Sequence, residues 1–127
     1  MTALLIAVGG ALGSLARYWI SEALALALGP QFPWGTLCVN VTGSFLIGLA
    51  AGGSWDEVRL MDSTFVRHFL MVGICGGYTT FSSFSLQTVA MLQVGDVGRA
   101  AVNVVLSVLT CLVATWSGFA IAAAMSR

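Results

Sequence analysis

Charge is what this chain has least of. Only 8% of its 127 residues are Asp, Glu, Lys or Arg, against about 25% in soluble domains. Lysine is missing altogether, the five basic residues all being arginine, and the formal net charge is zero. No basic face is available to attract nucleic acid. The one histidine, His68, has no neighbouring ligand set, which argues against metal catalysis. Cys38, Cys75 and Cys111 lie far apart, each in its own apolar run. They fit neither a metal site nor a disulfide framework and read as small buried residues. The N-terminus lacks a basic stretch and a clear cleavage site, so the first apolar run is expected to stay as a helix. Of the acidic residues Glu22, Asp56, Glu57, Asp62 and Asp96, only Glu22 falls in an apolar run. With no paired membrane carboxylates, no Ser-His-Asp arrangement and no phosphate loop, an enzyme is not expected.

What remains is apolar. Hydrophobic residues make up 58% of the chain and the mean hydropathy is +0.96, the composition of an all-α integral membrane protein. About 20 apolar residues cross the hydrocarbon of a bilayer, and four stretches have that length. The first runs from about Thr2 to Leu28 and stops at Gly29-Pro30, a strong termination signal. Pro33-Trp34 opens the second, which extends to about Gly53; Pro suits a first helical turn, and Trp34 and Trp55 suit the two membrane interfaces. A polar connector, Ser54 to His68, precedes the third, at about 69–94. After the turn Gly95-Asp96-Val97-Gly98-Arg99 the fourth covers about 100–125. A single four-helix membrane domain, residues 1–127, is expected.

The third span is unusual. Its uncharged run from Phe69 to Gly95 holds Gly73, Gly76 and Gly77, then an unbroken series of hydroxyl and aromatic residues, Tyr78 to Phe84. Each glycine weakens a helix by about 1 kcal/mol relative to alanine, and Ser and Thr compete for backbone hydrogen bonds. The spacing predicts a break near Gly76-Gly77, within 76–80. Such a break is tolerated at membrane depth only where protein buries it or it lines a polar cavity. A plain hinge packed through small residues accounts for the same glycines.

The other spans carry polar residues on single faces. In the first, Gly9, Gly13, Arg17 and Ser21 repeat every four residues, one side of a helix. Gly9 and Gly13 form a small-residue pair for close helix approach. Arg17 is an intramembrane charge and so a candidate functional residue, or else a snorkelling arginine or a partner for Glu22. In the second, Thr36, Asn40, Gly43/Ser44 and Gly48 share a face. Asn40 sits within the apolar run, where an amide needs a partner or water, and a hydrogen bond between helices is the ordinary alternative. In the fourth, Asn103, Ser107, Cys111 and Thr115 step by four, a polar line, although Ser and Thr also satisfy themselves on their own helix. A cation path would want carboxylates; amides, hydroxyls and Arg17 are donors and suit an anion. Phe81 and Phe84 share a face, and aromatic edges are electropositive. Two phenylalanines packed as core are the ordinary alternative.

Three motifs together resemble the CrcB/Fluc fluoride channels: Gly9-Gly-Ala-Leu-Gly-Ser-Leu-Ala-Arg17-Tyr, Trp34-Gly-Thr-Leu-Cys-Val-Asn40, and Gly73-Ile-Cys-Gly-Gly-Tyr-Thr-Thr-Phe-Ser-Ser-Phe-Ser85. The resemblance implies an antiparallel, dual-topology homodimer in the bacterial inner membrane with two pores, exporting fluoride passively. It implies Asn40 as pore asparagine, Phe81 and Phe84 as pore phenylalanines contributed across the dimer, Ser82 as a nearby hydroxyl and Thr36 further along. Ser107 and Thr115 would belong to the fourth-helix track, and Arg17 would stand at the vestibule. It also implies a structural sodium held by backbone carbonyls at positions matching Gly76 and Thr79. Asn103 and Cys111 stand where relatives can carry other polar residues. The arginine bias between loops is weak, which permits insertion in both orientations. A small dual-topology multidrug or guanidinium exporter and a non-transporting membrane assembly subunit are the competing readings. The first needs a membrane carboxylate, for which Glu22 is a poor candidate.

Overall fold

A computed structural model describes residues 1–52 and 65–125. Among these the chain is entirely helical, with no strand, and four stretches are long and apolar enough to span a membrane: Thr2–Leu28, Trp34–Gly52, Arg67–Gln93 and Val97–Met125. The connector from Ser54 to Thr64, the expected end of the second helix at Gly53, the interfacial Trp55 and the loop and tail arginines Arg59 and Arg127 lie outside the described residues.

Helix α1, Thr2–Leu28, ends at Gly29, whose φ of 85° only glycine adopts readily. The Gly29 N–H reaches the Ala25 carbonyl at 3.0 Å, and Pro30 prevents continuation. Helix α2, Trp34–Gly52, starts at the residue after Pro33. It packs most extensively along α6, Val97–Met125. Small residues allow this: a Cβ on Gly48 would strike the Thr115 carbonyl, and one on Gly118 the Phe45 carbonyl.

The third span is composite. Helix α3, Val66–Cys75, is wound in wide π-type turns and runs straight into a short α4, Gly76–Tyr78. Thr79 and Thr80 are extended, and α5, Phe81–Gln93, comes next. The glycines themselves are not where the backbone departs. Gly76 is helical, at φ −63° and ψ −38°, and the two non-helical residues are threonines at the far end of the expected 76–80 window. Tertiary contact holds Gly73 and Gly77 in the helix, while Gly76 is exposed. A Cβ on Gly77 would lie 2.5 Å from the Gly10 carbonyl oxygen, and one on Gly9 2.6 Å from that of Phe69. The Gly9/Gly13 face of α1 is therefore laid directly against the α3–α4 backbone. Helix α3 begins ahead of the expected 69, and α6 ahead of the expected 100. For α6 the reason is Asp96, whose Oδ1 accepts the Arg99 N–H at 3.1 Å, an N-cap that starts the helix early. An ion pair at 3.3 Å between Arg99 and Asp96 reinforces it.

Candidate functional site

The site grows from Thr79 and Thr80. Thr80 has φ −153° and ψ 110°, the extended backbone an N-cap residue adopts, and its Oγ1 accepts the Ser83 N–H at 3.1 Å. Leaving the helix costs Thr80 its own backbone partners. Asn40, on α2, supplies both. Thr80 N–H donates to Asn40 Oδ1 at 2.7 Å, and Asn40 Nδ2 donates to the Thr80 carbonyl at 3.1 Å. An amide is the side chain that accepts and donates at once, so Asn40 satisfies one residue of exposed backbone completely.

The carbonyls just before this point form a helix C-terminal end, where orphan acceptors collect and positive charge is favoured. Arg17 Nη1 lies 3.5 Å from the Thr79 carbonyl, and Ser14 Oγ lies 3.5 Å from that of Gly77. Arg17 is thus aimed at a carbonyl on the third span, not at Glu22. The Gly76 carbonyl would take the Thr80 N–H in a continuous helix. That N–H is committed to Asn40, and among the described residues no donor replaces it.

Around these atoms opens a groove of about 390 Å³, walled by α2, the third span and α6, with Asn40, Gly76, Thr79, Phe81, Phe84 and Ser107 among its lining residues. Its wall is mostly apolar and, among the described residues, holds no carboxylate. The Phe81 and Phe84 rings stand 5.3 Å apart at 47°, a tilted pair. Their surroundings differ: Phe84 is 8% exposed and Phe81 77% exposed.

The other expected residues separate from this group. Ser82 is exposed, and its Oγ lies 3.2 Å from Thr80 Oγ1. Thr36 is buried and lines a second cavity of about 510 Å³ with Ser21, Glu22 and Gln87. Thr115 does not line the groove; its hydroxyl donates to the Cys111 carbonyl at 3.0 Å. Cys111 does line it. Three polar residues were not singled out from sequence. Thr80 is the cap on which the geometry turns, and Thr88 bonds Asn103. Gln87 has a buried Oε1 without a hydrogen-bond partner. An amide in an apolar run, three residues after Phe84, was the available signal for Gln87. Nothing marked Thr80 out from Thr79.

Chemically, the groove offers amide N–H and hydroxyl donors, an aromatic pair and uncharged carbonyls in a mostly apolar setting. That suits a small ion shedding water stepwise. No arrangement here activates a nucleophile or pairs an acid with a base.

Comparison with known proteins gives a consistent result. The family described as "CrcB-like protein, Camphor Resistance (CrcB)" matches residues 4–119. A protein of Rhodospirillum rubrum named "Fluoride-specific ion channel FluC" is 53% identical over 118 residues, which is 93% of this chain and 92% of its own. Proteins with the same name from Opitutus terrae and Methylocella silvestris are 55% identical over 115 residues and 46% identical over 127. They cover 91% and 100% of this chain, and 87% and 97% of their own lengths.

Proposed function

Because the chain belongs to the CrcB-like family, we propose that it is a fluoride-selective channel, a multi-pass protein of the plasma membrane through which fluoride leaves the cell passively. The observation that carries this is the near-complete coverage by relatives named as fluoride channels, at about half identity. The donor-lined groove without a carboxylate supports it independently.

In this reading fluoride exchanges water for donors in the groove. Asn40 Nδ2 carries two protons. One is given to the Thr80 carbonyl, and the second is left for the ion. Phe81 and Phe84 present electropositive edges and Ser107 a hydroxyl, with Ser82, Thr36 and Thr115 further along the path. Arg17 draws the anion toward the groove. Apart from Arg17 on the approach, none of these contacts is a full charge pair, so the ion is held weakly enough to leave.

The third span acts as a broken helix, and the channel as an antiparallel homodimer inserted in both orientations. What supports the dimer is the 77% exposure of Phe81 beside a groove that one chain leaves open. A structural sodium would sit on the Gly76 and Thr79 carbonyls. Hard cations prefer oxygen, and Gly76 offers a carbonyl with no donor among the described residues. The Thr79 carbonyl also lies 3.5 Å from the Arg17 guanidinium, so a sodium would share that oxygen with a cationic donor.

A cation exporter is disfavoured because Glu22, among the described residues the one acid in a spanning helix, lines the second cavity and not the groove. A non-transporting subunit predicts no flux from the purified protein. The test is fluoride efflux from liposomes holding purified protein alone, with chloride for comparison. Fluoride release with chloride retained is the expected result; no release overturns the reading.

A further inference from the structure

The polar line on α6 contains a residue whose job the groove alone does not explain. Asn103 is 1% exposed, one of the two most deeply buried large side chains. It is the middle of a hydrogen-bonded series. Ser107 Oγ donates to Asn103 Oδ1 at 3.4 Å, Asn103 Nδ2 donates to Thr88 Oγ1 at 2.9 Å, and Thr88 Oγ1 donates to the Phe84 carbonyl at 2.8 Å. The direction of these bonds is forced. Thr88 has one hydroxyl proton and gives it to Phe84, so its oxygen must accept from Asn103. The amide nitrogen therefore faces Thr88 and the amide oxygen faces Ser107. The Ser107 proton is drawn away from the groove, and the lone pairs are left toward it.

We propose that Asn103 is a positioning residue that controls the hydroxyl proton of Ser107, and thereby how tightly the groove holds a small anion. This rests on the groove being a fluoride path. To donate to an anion, the Ser107 hydroxyl must rotate and abandon Asn103 Oδ1, which is buried and then unsatisfied, an expensive state. Asn103 thus competes with the ion for one proton. The competition weakens a site that would otherwise retain fluoride, and conduction needs release as much as binding.

The experiment is a double-mutant cycle on fluoride efflux from proteoliposomes, measured as a function of fluoride concentration. Asn103→Leu keeps the bulk and removes the competing acceptor. The half-saturating fluoride concentration should fall about three- to tenfold, the worth of one ordinary hydrogen bond, and the maximal rate should fall with it. In a Ser107→Ala background, Asn103→Leu should cause no further shift. Thr88→Val provides a second route should Asn103→Leu fail to fold. It removes the acceptor that fixes the amide, frees the amide to turn its nitrogen toward Ser107, and should also lower the half-saturating concentration. An unchanged value in whichever variant folds overturns the inference, as does a shift that persists in full without the Ser107 hydroxyl. Either result with a conducting wild type leaves the channel reading standing, whereas a wild type that passes no fluoride removes both.

Discussion

Replacing Asn40 with Asp changes one atom and should silence the channel. Asn40 holds Thr80 by two bonds, accepting at 2.7 Å and donating at 3.1 Å. Asp keeps the first. In place of the second it sets a carboxylate oxygen against the Thr80 carbonyl oxygen, so a bond becomes a repulsion. Leaving that carbonyl unpaired costs about 1–3 kcal/mol. On the proposed path the new charge would also face the permeating ion. At a separation of about 4 Å and an effective dielectric constant of about 20, the repulsion is about 4 kcal/mol, which is about three powers of ten in occupancy. The proton that Asn40 would lend to fluoride is gone as well. Fluoride efflux from proteoliposomes, followed with a fluoride electrode, should therefore drop at least about a thousandfold. Asn40→Ala separates the contributions. It loses both bonds to Thr80 without adding charge, so it should lower thermal stability and slow flux less than Asp does. An Asp variant that conducts at the wild-type rate would refute both the pairing and the electrostatics.

Phe81→Ile keeps an apolar side chain and removes the electropositive edge; fluoride flux should fall about two- to tenfold, in keeping with aromatic contacts worth about 0.5–1.5 kcal/mol, and unchanged flux would mean the ring only packs. Phe84→Ala, at the buried ring, should cost about 3–5 kcal/mol of stability, seen as a lower unfolding midpoint in detergent. Gly77→Ala pushes a methyl to within 2.5 Å of the Gly10 carbonyl and should cost about 1–3 kcal/mol. Gly10→Ala, whose added carbon meets nothing within 4 Å, is the matched control and should not be destabilised. Thr80→Val removes the cap on the Ser83 N–H and should cost about 1 kcal/mol, with Thr80→Ser restoring it; equal midpoints for Val and Ser would mean the cap carries no weight.

Four membrane crossings were legible because hydropathy and length act on whole segments, and no tertiary contact is needed to read them. The unusual third span was legible too, but its geometry was not. Propensity points at Gly76 and Gly77, the poorest helix formers present. Both stay helical, Gly77 packed against Gly10 of α1 and Gly76 exposed, and the extended pair is displaced to Thr79 and Thr80, where a hydroxyl can cap the start of α5. The demand that Asn40 find a partner was readable, since an amide within an apolar run needs one. That the partner is backbone, and takes both ends of the amide, required the fold. Spacing by four put Ser107 and Thr115 on one line, yet Thr115 bonds its own helix and does not line the groove. Periodicity says which side a residue faces, not whether its hydroxyl is already spent. Phe81 and Phe84 likewise share a helix face while differing sharply in exposure, 77% against 8%, because a common face need not be covered along its whole width.

The Asn40–Thr80 pairing also bears on how the chain is made. Helix α5 has 13 residues, and at 1.5 Å each it reaches about 20 Å, less than the hydrocarbon thickness. Emerging alone from a translocon, it would carry bare amide groups at its start into oil. Asn40 precedes it on the ribosome, so the side chain that pairs with the Thr80 N–H and carbonyl is already in the bilayer when Thr80 arrives. Order along the gene here doubles as order of assembly, and a permuted chain that delivered the third segment before the second should insert poorly.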